Sequence, residues 1–204
     1  MANRIDICNQ ALAEVGEQIL TTLDDKTRPA QLCRELLGPA VREVLNRGLW
    51  KCARKQTELS RVVPAAGEEP LGWSYAYQLP EDYVRLAAFN EVELAQRVLR
   101  PHLFEVRGDY LLSNVERARV VYVRDLSAKG EEVRLMPPLL TRAVVLALAA
   151  KLSWPLTASR PNQQALNEAC EIAIRHAKSA GAVEEHRPVL DQEAGSRWLG
   201  VRGR

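Results

Sequence analysis

At 204 residues, with 47% hydrophobic and 26% charged side chains, the chain is long enough to bury one large core and has the composition of a globular protein. Its 28 basic and 26 acidic residues leave a formal charge of only +2, which argues against a dedicated nucleic-acid binder, whose domain isoelectric point is expected above roughly 9. The longest apolar run, Ala143 to Ala150, falls far short of the roughly 20 residues that span a bilayer, and Met1 to Arg4 shows no charged-then-apolar targeting pattern. The protein is therefore expected to be made and kept on the cytoplasmic side.

Ile5, Cys8, Leu12 and Val15 recur at helical spacing, forming one stripe of an amphipathic helix that Gly16 is placed to end. Asp24, Asp25 and Thr27 offer cap oxygens ahead of Pro29, which suits the first turn of a second helix. That helix carries Leu32, Cys33, Leu36, Leu37, Ala40, Val41, Val44 and Leu45. Pro39 lies inside it and is expected to kink it, or split it near Leu36, and Gly48 is expected to close it.

From Trp50 the period changes. Residues 50 to 63 mix β-branched and charged positions, and Pro64-Ala65-Ala66-Gly67 with Pro70 and Gly72 marks a loop. Trp73, Tyr75, Tyr77 and Leu79 alternate, which predicts a strand with one aromatic face. Pro80 cannot continue a central strand, and Glu81-Asp82-Tyr83 reads as a tight turn. Further strands are expected at Val84 to Phe89, Glu105 to Arg107, Tyr110 to Leu112 and Arg119 to Arg124, with Gly108-Asp109 as a two-residue hairpin turn.

Helix returns at Pro137-Pro138. Leu139, Leu140, Val144, Leu146, Ala147, Ala150 and Leu152 make the segment apolar nearly all round, the mark of a central helix, which Trp154-Pro155 is expected to terminate. A last helix opens near Ser159 with Pro161 in its first turn and stripes Leu166, Cys170, Ala173, Ile174 and Ala177 along one side, with Gly181 as its expected stop. Residues 184 to 204 lose the periodicity and read as an extended arm.

Nothing in this order carries a catalytic signature. His102, His176 and His186 lie in different elements with no nucleophile spaced to meet them. Asp24-Asp25, Glu68-Glu69, Glu81-Asp82 and Glu184-Glu185 are adjacent carboxylates, which do not share a face of a helix or strand and read as caps, turns and solvated ends. No dinucleotide, P-loop, zinc-protease or nucleophile-elbow motif occurs. Cys8, Cys33, Cys52 and Cys170 share no C-x-x-C spacing, and the first, second and fourth fall on apolar helix faces, so buried free thiols are expected rather than a zinc site or a disulfide. No metal and no cofactor is implied.

Arg47, Lys51, Arg54, Lys55 and Arg61 form a basic stripe beside Trp50. It reads either as a solvated surface with Trp50 in the core or as a phosphate-binding strip with a ring for base stacking; near-neutral net charge favours the first. Trp50, Trp73, Tyr77 and Pro80 read as a structural junction between a helical and a β layer. The arm is different, because a solvent tail does not need Val189, Leu190, Trp198, Leu199 and Val201. Fully extended it reaches about 70 Å at roughly 3.3 Å per residue. Ordering it costs roughly 1 to 2 kcal/mol per residue, so one copy should bind a partner weakly and several linked copies durably. Trp198 is the expected anchor, with Arg197 and Arg202 for acidic sites on that partner.

The opening run Asn9-Gln10-Ala11-Leu12-Ala13-Glu14-Val15-Gly16, the helix end Val44-Leu45-Asn46-Arg47-Gly48-Leu49-Trp50 with Ala53-Arg54-Lys55, and above all Tyr77-Gln78-Leu79-Pro80-Glu81-Asp82-Tyr83 carry a resemblance. Together with the alanine-rich helix Leu139 to Leu152 and the helix Asn162 to Ala180, they make almost the full chain resemble the head-to-tail adaptors of short-tailed bacteriophages, the tail tubular protein A family. The resemblance implies a structural virion protein, not an enzyme. Such adaptors form a dodecameric ring beneath the portal, receive the tail nozzle below, and let DNA pass through the channel without specific binding. Their C-terminal segment docks on the portal, and residues 184 to 204 hold the matching position. The expected protein is thus α+β and mainly α: a helical bundle from residues 1–50 and 137–183, a β-rich insertion at 51–136, and the arm at 184–204. The alternative is a DNA-binding module for packaging or repair, acting through the stripe from Arg47 to Arg61.

Overall fold

The computed structural model describes residues 2–63, 72–90, 92–93, 103–127 and 132–183. The first helix, α1 (Arg4–Val15), opens on a reciprocal cap: the Asp6 amide donates to the Asn3 side chain at 2.8 Å and the Asn3 amide donates to the Asp6 carboxylate at 2.9 Å. It closes at Gly16, whose φ of 79° is the left-handed conformation glycine adopts without strain. Helix α2 (Arg28–Asn46) starts at Thr27, with Pro29 in the first turn. Pro39 does not split it. The proline and Glu35, whose carbonyl loses its bond, both lie away from the core, so water can take the freed oxygen. On the opposite side Leu37, Ala40, Val41, Val44 and Leu45 are fully buried and hold the helix through the break.

Helix α3 (Pro138–Thr157) runs through Pro155 instead of stopping at Trp154-Pro155. The lost backbone bond is offset in that turn by the Thr157 hydroxyl donating to the Ser153 carbonyl and by Arg28 donating to the Pro155 carbonyl, both at 2.7 Å. Ala158, at φ 52°, then ends the helix. Helix α4 (Arg160–Val183) likewise passes its expected stop, because Gly181 does not take up the left-handed conformation that ends α1 at Gly16. Helix α3 lies at the centre, packed against α1, α2 and α4. By length and composition it is apolar enough to cross a membrane, but 67% of its most apolar window is buried inside the protein, which makes it a core helix.

The β part holds two four-stranded antiparallel sheets among the described residues. The strands are β1 (Arg54–Glu58), β2 (Arg61–Val62), β3 (Tyr75–Gln78), β4 (Tyr83–Phe89), β5 (Val92–Glu93), β6 (Phe104–Arg107), β7 (Tyr110–Ser113) and β8 (Arg119–Arg124). One sheet has the order β1-β8-β4-β5 and the other β2-β3-β7-β6. The chain crosses between them at Leu59-Ser60, where the Leu59 amide donates to the Ala118 carbonyl at 2.8 Å and the Ser60 carbonyl accepts from the Gln78 amide at 3.1 Å. Gly108, at φ 56°, and Asp109 form the two-residue turn between β6 and β7.

The sheets share a compact core of Tyr77, Leu79, Leu86, Phe89, Phe104, Leu111, Val120 and Tyr122, with the Phe89 and Phe104 rings 5.0 Å apart. Val123 turns the other way and joins the helical core with Ala53 and Leu126. Strand β8 thus serves both cores, as the period-2 alternation of side chains allows. The expected loop from Pro64 lies outside the described residues except for Gly72. The molecule is a mixed α/β protein with four helices and two small sheets among those residues.

Candidate functional site

The two layers meet where α2 ends. The Trp50 indole folds back on that end and its Nε1–H donates to the Val44 carbonyl at 3.0 Å, adding a second donor to an oxygen that also accepts from the Arg47 amide at 3.1 Å. A Cβ at Gly48 would lie 2.8 Å from the indole Cε2, so only glycine lets the ring sit this close. From the sheet side, Arg85 of β4 donates to the Asn46 carbonyl at 3.0 Å, placing a cation at the negative end of the α2 dipole.

A second set of bonds ties the sheet to α2 at Arg42 and braces the sheet itself. Asp125, just past β8, is buried; its carboxylate faces Arg42 at 3.2 Å and accepts from the Ser127 amide and hydroxyl at 2.7 and 2.6 Å. The Asp125 amide donates to the Asp82 carbonyl at 2.7 Å. The Asp82 carboxylate accepts from the Tyr122 hydroxyl at 2.7 Å and lies 3.4 Å from Lys55 Nζ. Burial alone would push Asp82 up, but the Tyr122 hydroxyl and the Lys55 charge outweigh it and hold its carboxyl below the usual range. Burial, reinforced by the same carboxylate, pushes the Tyr122 phenol up.

Beside this junction opens a cleft of about 530 Å³ between the end of α2, the start of α3 and the last turns of α4. Its apolar lining includes Trp50, Leu49 and Leu139, and the last two are 38% and 45% exposed. Its basic lining includes Arg47, Lys51, Arg85 and Lys178. Arg47 is ion-paired with Glu171 of α4, and Arg85 is committed to α2, whereas Lys51 and Lys178 are exposed.

The residues singled out in the sequence go to different places. Trp50 is in the helical core and Tyr77 in the β core, where its hydroxyl donates to the Val115 carbonyl. Trp73 is half-buried and donates to Glu105 at 3.0 Å, which with Arg107 holds that carboxyl below its ordinary range. The Pro80 carbonyl accepts from the Tyr83 amide at 2.9 Å, closing the expected turn. In the basic stripe, Arg47 pairs with Glu171, Lys55 with Asp82, and Arg61 lies 4.2 Å over the Tyr75 ring, so three of its cations face protein groups. Val189, Leu190, Arg197, Trp198, Leu199, Val201 and Arg202 lie outside the described residues, as do His102 and His186.

Cys8, Cys33 and Cys170 are buried free thiols and Cys52 is half-buried. Cys8 and Cys33 share a thiol hydrogen bond between α1 and α2, and that bond together with burial pushes Cys8 far up. Burial pushes Cys170 up to about 11. The bond to Cys8 lowers Cys33, whereas thiols held protonated like Cys8 and Cys170 are poor nucleophiles. Among the described residues no group of three or more His, Cys, Asp or Glu side chains is placed to hold a metal ion.

Asp82, Arg85, Asp125 and Lys178 carry no signal that sequence reasoning could use, because their partners are remote in the chain. The Tyr122 partner of Asp82 and the Asn46 partner of Arg85 lie some 40 residues away. No model of a protein family matches the chain, and no curated protein matches it closely enough to count as a relative.

Proposed function

We propose that the protein is a structural virion component, a head-to-tail adaptor whose copies form a ring joining the portal to the tail nozzle and continuing the DNA channel. In this reading the four helices are the bundle that forms the ring wall, the two sheets are an inserted subdomain, and residues 184 to 204 are the arm that reaches the portal. The resemblance to the tail tubular protein A family is what suggests it. The observation that supports it most is the junction: Arg85 bonds the Asn46 carbonyl at the end of α2, and Arg42 of α2 pairs with the buried Asp125 just past β8, so the helical layer is tied to the sheets at two points. A part that transmits load between two rings needs its own two layers fixed.

The DNA-binding alternative is less well supported, since Arg47, Lys55 and Arg61 already face Glu171, Asp82 and Tyr75. Each phosphate contact would also add a salt-dependent attachment that hinders transit. The test is co-sedimentation with the portal protein of the same genome, using the full chain beside one stopped before Glu184. Saturable binding by the full chain that is lost on truncation is the expected result. No binding by either, together with nanomolar retention of DNA on filters near physiological salt, would replace this reading with the alternative.

A further inference from the structure

The cleft beside Trp50 is bounded by the last turns of α4: Ala177, Lys178, Ala180 and Gly181 all line it. The last described helix ends at Val183, two residues past Gly181 of the cleft wall. Its volume of about 530 Å³ falls within the roughly 300–1,000 Å³ of clefts that bind ligands. Leu49 and Leu139 are left partly uncovered there, an unusual use of two leucines facing one hollow. Lys51 and Lys178 stand at its edge. What fills it should therefore be apolar at the centre and acidic at the flanks.

The sequence directly after Val183 has that character. Val189 and Leu190 follow Glu184, Glu185, His186, Arg187 and Pro188 and precede Asp191 and Glu193, so four carboxylates against one arginine surround the apolar pair. From Val183 to Val189 the chain can span at most about 20 Å at roughly 3.3 Å per residue, enough to return to a cleft whose wall begins at Gly181.

We propose that the segment Glu184–Glu193 of this same chain docks in the cleft, with Val189 and Leu190 against Leu49, Trp50 and Leu139 and its carboxylates toward Lys51 and Lys178. Tethering at the rim gives the segment an effective concentration on the order of millimolar, so weak contacts suffice and no separate partner is needed. The docking fixes where the remaining residues, including Trp198, set out from the body. It does not depend on the adaptor reading, because it concerns the isolated chain.

Hydrogen exchange on the full-length protein tests it. The variant carrying Val189→Ser and Leu190→Ser is compared with the unmodified chain at the amides of Gly48, Ala53 and Arg54, which bond to Leu45, Trp50 and Lys51 at the cleft wall. Exchange there should quicken at least about tenfold while the centre of α3 is unchanged, as expected of a local opening. Lys51→Glu with Lys178→Glu should act in the same direction, and adding Asp191→Lys with Glu193→Lys should restore protection. Equal exchange in the unmodified and Val189→Ser/Leu190→Ser chains would overturn the proposal. So would protection that grows with protein concentration, since a second copy would then be the source of the segment.

Discussion

The helical layer and the β layer are held together by different means. In the first, α3 buries residues on every side, from Leu140 and Ala143 through Leu148 to Leu152, against three other helices. Its order follows mainly from apolar area and close packing, with ion pairs such as Arg142–Glu14 and Lys151–Glu43 added at its surface. In the second, the strands are short and the core small, and polar groups at its edge add to the packing. Tyr122 donates to Asp82, Tyr77 to the Val115 carbonyl, and Ser113 to the Leu103 carbonyl. The helical layer should therefore tolerate changes in pH that the β layer does not, and the junction decides whether the two unfold as one.

The largest effect on this division is expected from Trp50→Ala. It removes a buried ring and the indole N–H that the Val44 carbonyl accepts beside the Arg47 amide, which should cost about 3–5 kcal/mol. In urea denaturation followed by far-ultraviolet and near-ultraviolet circular dichroism, the single transition of the parent should separate into two. One coincident transition with a loss under about 1 kcal/mol would show that the indole does not couple the layers.

Gly48→Ala comes next. The new Cβ at 2.8 Å from the indole forces a shift with a cost of roughly 1–3 kcal/mol. If that cost comes from the ring, it should nearly vanish when Trp50→Ala is already present, and a double-mutant cycle measures this. Additive losses would place the strain elsewhere.

Tyr122→Phe probes the β side alone. Asp82 loses its hydroxyl donor, and stability should fall by about 1–2 kcal/mol. Because the folded carboxyl is held below its unfolded value, Asp82 contributes stability above its unfolded pKa of roughly 4, and this is lost as pH falls through the folded pKa. Tyr122→Phe should therefore flatten the acid limb of the stability profile. The Tyr122 phenol is shifted the other way. Its folded pKa lies above the unfolded value, so the parent should also lose stability as pH rises beyond about 10, and the variant should lose less. Melting temperatures between about pH 3 and 11 that run parallel for the two proteins would refute both assignments.

The smallest effect is expected for Arg119→Ala. Its pair with Glu58 at 3.8 Å is exposed on both sides, so the change should stay within about 0.5 kcal/mol. A larger loss would mean that surface ion pairs, not the tether at Asp82, hold the sheets.

The helical layer was largely legible because its information is local. The spacing of Ile5, Cys8, Leu12 and Val15, the glycine at position 16 and the all-round apolar run of α3 each declare themselves within a few turns. Where local signals misled, packing overrode them: buried leucines and valines carried α2 through Pro39, and Thr157 and Arg28 carried α3 through Pro155. The strand run Arg119–Arg124 was legible for the same local reason. The junction and the cleft were not. Asp82 looked like one half of a solvated acidic turn, yet its side chain is 13% exposed and held by Tyr122 and Lys55. Lys178 and Arg85 reach one cleft from α4 and β4, a meeting that only the folded chain reveals.

Assembly on the portal is the proposal on which the adaptor reading stands, and electron microscopy of purified portal particles mixed with the full chain addresses it without intermediaries. An added ring of density beneath the portal is expected, with the portal's own rotational symmetry, and it should be absent when the chain is stopped before Glu184. Bare portals at saturating concentrations of the full chain would refute the reading.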